Sequence, residues 1–186
     1  MPVNIGGKAQ SGFNDPFGLL WDCHRRIEGF LAALVKAAEL GPERTGEAER
    51  ESLRRALDHF RGAGQKHTED EEASVFPRLR AACESGDAEA LRALESLESD
   101  HDNADRLHAE LDLLGREWIE TATLPQEKMR RFREIALRLK DVYARHIALE
   151  DTEVFPLAKR KLTNAEVRSI GDEMARRRGL AQRGGA

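Results

Sequence analysis

HTEDEEASVFP, residues 67–77, returns 79 residues later as HIALEDTEVFP, residues 146–156. His, Glu, Val, Phe and Pro recur at identical places, so both stretches spell H-x3-E-x3-V-F-P. Residues four apart lie on one face of a helix, roughly 5–6 Å from each other. His67 with Glu71, and His146 with Glu150, can therefore reach one metal centre from one helix each. A carboxylate has two oxygens and can bridge two cations while imidazole nitrogens cap the outer positions.

Outward from each copy the chain supplies one more histidine on an apolar stripe. His24 stands 43 residues before His67, and His101 stands 45 before His146. The repeating unit is thus a pair of helices used twice. In an antiparallel bundle it brings four imidazoles and two carboxylates to one level from four helices. A lone His or Glu in such a stripe would ordinarily find a hydrogen bond or reach solvent. A duplicated set of six argues otherwise, because each buried polar group left unpaired costs several kcal/mol.

The apolar spacing around these residues predicts four long helices. Asp15-Pro16 supplies a cap and a first-turn proline. Phe17, Leu20, Trp21, His24, Ile27, Leu31 and Leu34 then follow at steps of three and four until Gly41-Pro42. The second helix is predicted from about Thr45 to Cys83, with a kink or break near residues 73–77 because of Pro77. The third runs from about Ala88 to Thr121, and the fourth begins near Pro125 with Pro156 placed like Pro77. Thr163 caps a short fifth helix ending near Gly179. Short connections favour an all-α, up-down-up-down antiparallel four-helix bundle with a short C-terminal fifth helix. The domain reading is a leader at 1–14, the bundle at 15–161, and a short helix and tail at 162–186.

Composition bounds the alternatives. Thirty basic and thirty-four acidic residues give −4 with His neutral, so no global field draws the chain to nucleic acid or anionic lipid. The basic cluster Arg176-Arg177-Arg178 with Arg183 reads as a solvated last turn and frayed tail. No run approaches the ~18 apolar residues of a membrane span, and the N-terminus has no signal-peptide pattern. A cytoplasmic protein is expected. Cys23 and Cys83 are too few and too far apart for a disulfide framework or a CxxC motif, and both read as small core residues, although Cys23 abuts His24.

The six residues resemble the ligand pattern of the hemerythrin-like, HHE cation-binding family: a His on helix one, HxxxE on helix two, a His on helix three and HxxxE on helix four. The resemblance covers roughly Asp15 to Lys161. It is carried by His24 in DCHRRIE, His67 and Glu71 before VFP, His101 in SDHDNAD, and His146 and Glu150 before the second VFP. It implies a four-helix bundle holding two iron ions, oxo- or hydroxo-bridged, used in members for oxygen carriage, for oxygen or iron sensing, or in nitric oxide and peroxide responses. Mixed imidazole and carboxylate donors would also accept zinc or manganese. Oxygen-carrying members have HxxxH on helix three, whereas the position four after His101 is Asp105. That departure moves the expected function from carriage toward binding or sensing of oxygen, nitric oxide or iron. The alternatives are an oxidoreductase acting on peroxide, oxygen or nitric oxide, with Glu28, Glu71 or His108 assisting proton transfer, and a zinc-bound or metal-free interaction bundle. The expected partners are these small ligands, with no nucleic acid and no membrane.

Other residues carry weaker expectations. Trp21 and Tyr143, each three before a ligand, read as core, or as lining a pocket where Tyr143 offers its hydroxyl. Glu72 and Asp151 read as solvated, with a hydrogen bond to a ligand as the alternative. His59 and His108 read as ordinary histidines, or as a pair about 11 Å from the metals on a proton path or auxiliary metal site. Glu98 and His101 have ferritin-type ExxH spacing without a second copy, so a ferritin-like assignment is disfavoured. Phe76-Pro77 and Phe155-Pro156 are expected to close the bundle end beside the metals.

Overall fold

The computed structural model describes residues 11–180, and every regular element among them is helical. Helix α1 (Pro16–Leu40) starts where Asp15 accepts the Gly18 N–H at 3.0 Å, a cap that contributes ~1 kcal/mol. It stops at Gly41, whose φ of 69° is left-handed and suits glycine. Helices α2 (Glu47–His59), α3 (Gln65–Asp70) and α4 (Phe76–Ala82) make one run, joined by π-helical turns at Phe60–Gly64 and Glu71–Val75. Helix α5 (Ala88–Thr121) is uninterrupted. Helix α6 (Gln126–Leu149) continues through a π-helical turn at Glu150–Val154 into α7 (Phe155–Lys161), and α8 (Asn164–Arg177) follows. Thr163 caps α8, accepting the Glu166 N–H at 3.3 Å while its own N–H donates to the Glu166 carboxylate at 2.8 Å.

The kink or break predicted near Pro77 takes a different form. Proline has no N–H to donate, and its ring crowds the carbonyl four residues back. The chain answers by widening the preceding turn, so that the Phe76 N–H donates to the Glu71 carbonyl five residues back and the helix resumes. The second copy does the same, Phe155 N–H to Glu150 carbonyl. The sequence repeat is thus also a repeat of one backbone distortion, a π turn beginning at the glutamate in each copy.

Helix α1 packs on α2 and α6, and α5 packs on the same two, so the four long runs close a ring. Two apolar clusters fill it. One contains Ile27, Leu31, Leu34, Leu53, Leu57, Leu111, Trp118 and Phe132, with Trp118 set edge-on to Phe132 at 5.4 Å. The other contains Phe17, Leu20, Val75, Phe76, Leu79, Leu94, Leu97 and Phe155, together with Ile170 and Met174 from α8. Each fully buried large side chain contributes ~1.5–3 kcal/mol. Trp21, expected in the core or a pocket, is instead 46% exposed, with the Arg25 guanidinium 5.3 Å from its ring centre. The buried face of α1 runs through Phe17, Leu20, His24, Ile27 and Leu31, and Trp21 falls outside it.

Of the predicted leader, residues 1–10 lie outside the described residues. Residues 11–14 are docked: the Ser11 N–H donates to Asp22 at 2.8 Å, and the Phe13 carbonyl oxygen occupies the space where a β-carbon on Gly171 would stand. Among the described residues no helix is long and apolar enough to cross a membrane.

Candidate metal centre

Between the two apolar clusters lies a polar layer. His24 comes from α1, His67 from α3, Glu71 from the first repeated π turn, His101 from α5, His146 from α6 and Glu150 from the second π turn. All six are buried, Glu71, Glu150 and His24 completely. Their ligand atoms form two groups, His24–His67–Glu71–Glu150 and Glu71–His101–His146–Glu150, each with its members' atoms within 4.8 Å of one another. The sequence-predicted residues are therefore all brought together, and Glu71 and Glu150 belong to both groups.

The distances show how the carboxylates span the pair. Glu71 Oε1 is 3.1 Å from His67 Nε2 and 3.9 Å from His24 Nε2, while its Oε2 is 3.4 Å from His101 Nε2. Glu150 Oε2 is 3.1 Å from His24 Nε2 and 3.3 Å from His146 Nε2. His101 and His146 meet Nε2 to Nε2 at 3.1 Å. Both carboxylates and His67 Nε2 and His24 Nε2 are buried and have no conventional hydrogen-bond partner. Buried acceptors and imidazole nitrogens converging without donors of their own are costly unless a positive charge sits among them. Without a metal, protons can supply that charge. Burial opposes charging of His24, but the Asp151 carboxylate on its outer nitrogen and the nearby Glu150 and Glu71 carboxylates push it up to about 11. Against the same burial, Glu71 and Glu72 push His101 up to about 9. Burial would raise Glu71, yet His67, His101 and His24 hold it well below the usual carboxylate range. The donor set fits cations, which would replace those protons.

Around this layer the repeats cross over. In each copy the residue after the glutamate, and the phenylalanine of VFP, serve a histidine from the other copy's helix pair. Asp151 contacts His24 Nδ1 at 2.8 Å and Phe155 stacks on its ring at 5.5 Å. Glu72 contacts His101 Nδ1 at 2.8 Å and Phe76 stacks on that ring at 6.2 Å. Asp151, 14% exposed, departs from the solvated expectation, whereas Glu72 stays 39% exposed, and both make the alternative contact with a candidate ligand. The wide turn places positions i, i+1 and i+5 from the glutamate against the same imidazole, an arrangement that α-helical spacing does not suggest. Such carboxylate partners fix the tautomer and orientation of a ligating imidazole. Asp100, which the sequence reading did not single out, lies 3.7 Å from His146 Nδ1. Both phenylalanines belong to the second apolar cluster, so they cover the site from within the core and do not close an end of the bundle.

The remaining candidates stand apart. Glu98 pairs with Arg80 at 2.6 Å and joins neither group, and Asp105 is exposed. Cys23 is buried; burial opposes its ionisation, but His67 and Arg26 bring the thiol below its ordinary value, and its sulfur belongs to neither group. Both cysteines are free. His59 and His108 do not pair: Phe60 lies between them, edge-on to His59 at 5.4 Å and stacked on His108 at 4.2 Å. Burial depresses both to about 4, so they are neutral, with no second metal group among the described residues. Tyr143 is half-buried, its hydroxyl 3.1 Å from His108 Nε2 and its ring 6.0 Å from that of His146. Burial first, and the nearby carboxylates second, raise its pKa, so it stays a protonated donor.

A helical bundle whose interior carries two adjoining groups of imidazoles and shared carboxylates is a cation-binding bundle. The sequence model of the hemerythrin HHE cation binding domain matches residues 15–158, and the chain belongs to that family. A search of characterised proteins finds no significant match.

Proposed function

We propose that this chain is a non-haem di-iron protein that binds or senses oxygen, nitric oxide or iron, built as an up-down-up-down antiparallel four-helix bundle. The observation that carries the reading is the sharing of Glu71 and Glu150 by two groups that each hold two imidazoles. Two carboxylates between two pairs of imidazoles suit a paired centre of divalent or trivalent cations. The absence of a thiolate from either group favours iron over a structural zinc site. Bound iron would supply Lewis acidity and one-electron chemistry at positions the four protein donors per ion do not fill.

The protein's own residues orient and insulate. Asp151 and Glu72 hold His24 and His101 by their outer nitrogens, and Phe155 and Phe76 cover those rings. Tyr143, its hydroxyl against neutral His108, keeps its proton, and its ring lies 6.0 Å from that of His146. That last pair is what favours the second reading, an oxidoreductase acting on peroxide, oxygen or nitric oxide, since it gives the site a proton donor.

The test is metal analysis of protein purified without added metal, with absorption spectra taken anaerobically and after exposure to oxygen or nitric oxide. About two irons per chain, and a near-ultraviolet band that responds to the gas, are expected. Folded, metal-free protein from iron-replete cells would overturn the proposal. Sustained turnover of peroxide or nitric oxide with an added reductant would favour the enzyme over the sensor.

A further inference from the structure

Helix α8 is tied to the metal-ligating turn of the first repeat. Nine polar residues are buried among those described; six are the site itself, and two of the other three are Asp70 and Ser74. These lie either side of Glu71, Asp70 as the last residue of α3 and Ser74 within the first π turn. Asp70 is completely buried, and both of its oxygens are taken by arginines at the end of α8, Arg177 at 2.7 Å and Arg178 at 2.7 Å. Arg177 also donates to the Ser74 hydroxyl. Arg78, one turn further on, donates to the Ser74 carbonyl at 2.8 Å and pairs with Glu173 of α8 at 2.6 Å. The solvated last turn expected of Arg177 and Arg178 is therefore wrong: they are 19% and 28% exposed and clamped to a buried acid.

The repeat shows that this clamp is not a requirement of the turn. In the second copy the position of Asp70 is Leu149 and that of Ser74 is Glu153, and Leu149 packs against the apolar cluster. The two copies match in their ligands and differ where α8 seats. A buried carboxylate whose partners come from another helix holds that helix and its own turn in one register, because losing either partner leaves a desolvated charge.

We propose that Asp70, with Arg177 and Arg178, is a positioning device through which α8 holds His67 and Glu71 in ligating geometry. It makes the His24–His67 half of the centre, which takes both His67 and Glu71 from this turn, more dependent on α8 than the His101–His146 half, which takes Glu71 alone. The inference rests on the two-metal reading above. Releasing the clamp lets the turn carrying His67 and Glu71 relax. His67 serves one group only, while Glu71 reaches the other through a separate oxygen, so the first group loses two donors, the second one, and the first metal escapes sooner.

The experiment loads full-length protein with iron(II) anaerobically and follows release to a strong chelator, for wild type, Asp70→Asn and the double variant Arg177→Gln/Arg178→Gln. The first removes the charge and the second its partners, so a folding failure of one leaves the other informative. Both are checked by thermal unfolding. One metal per chain should leave about tenfold faster than in wild type, the lower end for partners of metal ligands, while the second accelerates less. Arg177→Gln/Arg178→Lys, which keeps one cation beside Asp70, should restore much of the slow rate lost in the double glutamine variant. Equal acceleration of both metals, or no acceleration in either folded variant, overturns the positioning role. Wild-type protein that takes up one metal or none overturns the two-metal reading instead, which the wild-type stoichiometry reports independently of the variants.

Discussion

Glu71 and Glu150 sit in both ligand groups, whereas each histidine sits in one, so carboxylate and imidazole substitutions should differ in kind. Consider Glu71→Gln, which keeps shape and removes the charge. Its Oε1 faces His67 at 3.1 Å and its Oε2 faces His101 at 3.4 Å, so one change weakens both groups. Metal at a hundred times its dissociation constant stabilises a folded protein by ~2.7 kcal/mol per site. For a chain of 186 residues each kcal/mol shifts Tm by ~2–4 °C. Wild type with both sites filled should therefore gain about 10–20 °C, and a single site about half of that. Glu71→Gln should lose nearly all of this increment. Its metal-free stability should stay within about 1–2 kcal/mol of that of metal-free wild type, because His67 and His101 can shed protons instead of remaining as unpaired cations. His67→Ala should keep about half the increment. The assay is calorimetric unfolding with and without metal, paired with metal analysis of the same samples. A Glu71→Gln protein that retains the full metal-dependent shift, or a His67→Ala protein that loses it as completely as Glu71→Gln, would refute the shared-carboxylate arrangement.

Three further outcomes follow from the surroundings of the site. Asp151→Asn and Glu72→Gln should each lower metal affinity about 10–100-fold by freeing the outer nitrogen of His24 or His101; chelator competition measures it, and unchanged affinity in both would remove the orienting role. Metal uptake should release protons, because His24 and His101 hold theirs up to about 11 and about 9; calorimetry in buffers of different ionisation enthalpy counts them, and affinity should fall as pH is lowered. The raised values also mean that their contribution to the metal-free fold is complete below about 6.5 and lost as pH rises through about 9 for His101 and about 11 for His24. His59 and His108 work in the opposite sense: held at about 4 when folded, they bind protons first in the unfolded chain, so stability drops as pH falls from about 6.5 to about 4. His108→Gln should flatten the acid limb of a urea-midpoint profile, and an unaltered slope counts against a neutral buried His108.

The six candidate residues and the helices that carry them were legible because a metal site would impose its own periodicity. A His and a Glu must lie four apart to share a helix face, and the apolar stripes around His24 and His101 placed those residues inward. The duplication then linked the two halves without any contact being known. Helix starts were readable for the same local reason: Asp15-Pro16 and Thr163 are capping chemistry within three residues of what they cap.

What escaped was whatever depended on chain segments far apart in sequence. Pro77 announces a disturbed helix, but a π turn in place of a break follows from packing Val75, Phe76 and Leu79 on one side and Glu71 on the other. Asp151 reaching His24, 127 residues away, and Arg177 reaching Asp70, 107 residues away, are pairings between charged residues that look like solvated surface in any local window. Trp21 shows the converse, an apolar residue at the right spacing that the ring of four helices leaves outside. Sequence alone determined the helical periods and the six ligand candidates, since both obey rules that act within about one helical turn. Only the tertiary structure decided which carboxylate serves which imidazole, and that α8 clamps Asp70 beside the first π turn. Those choices depend on which helices become neighbours, and burial then makes distant partners energetically necessary.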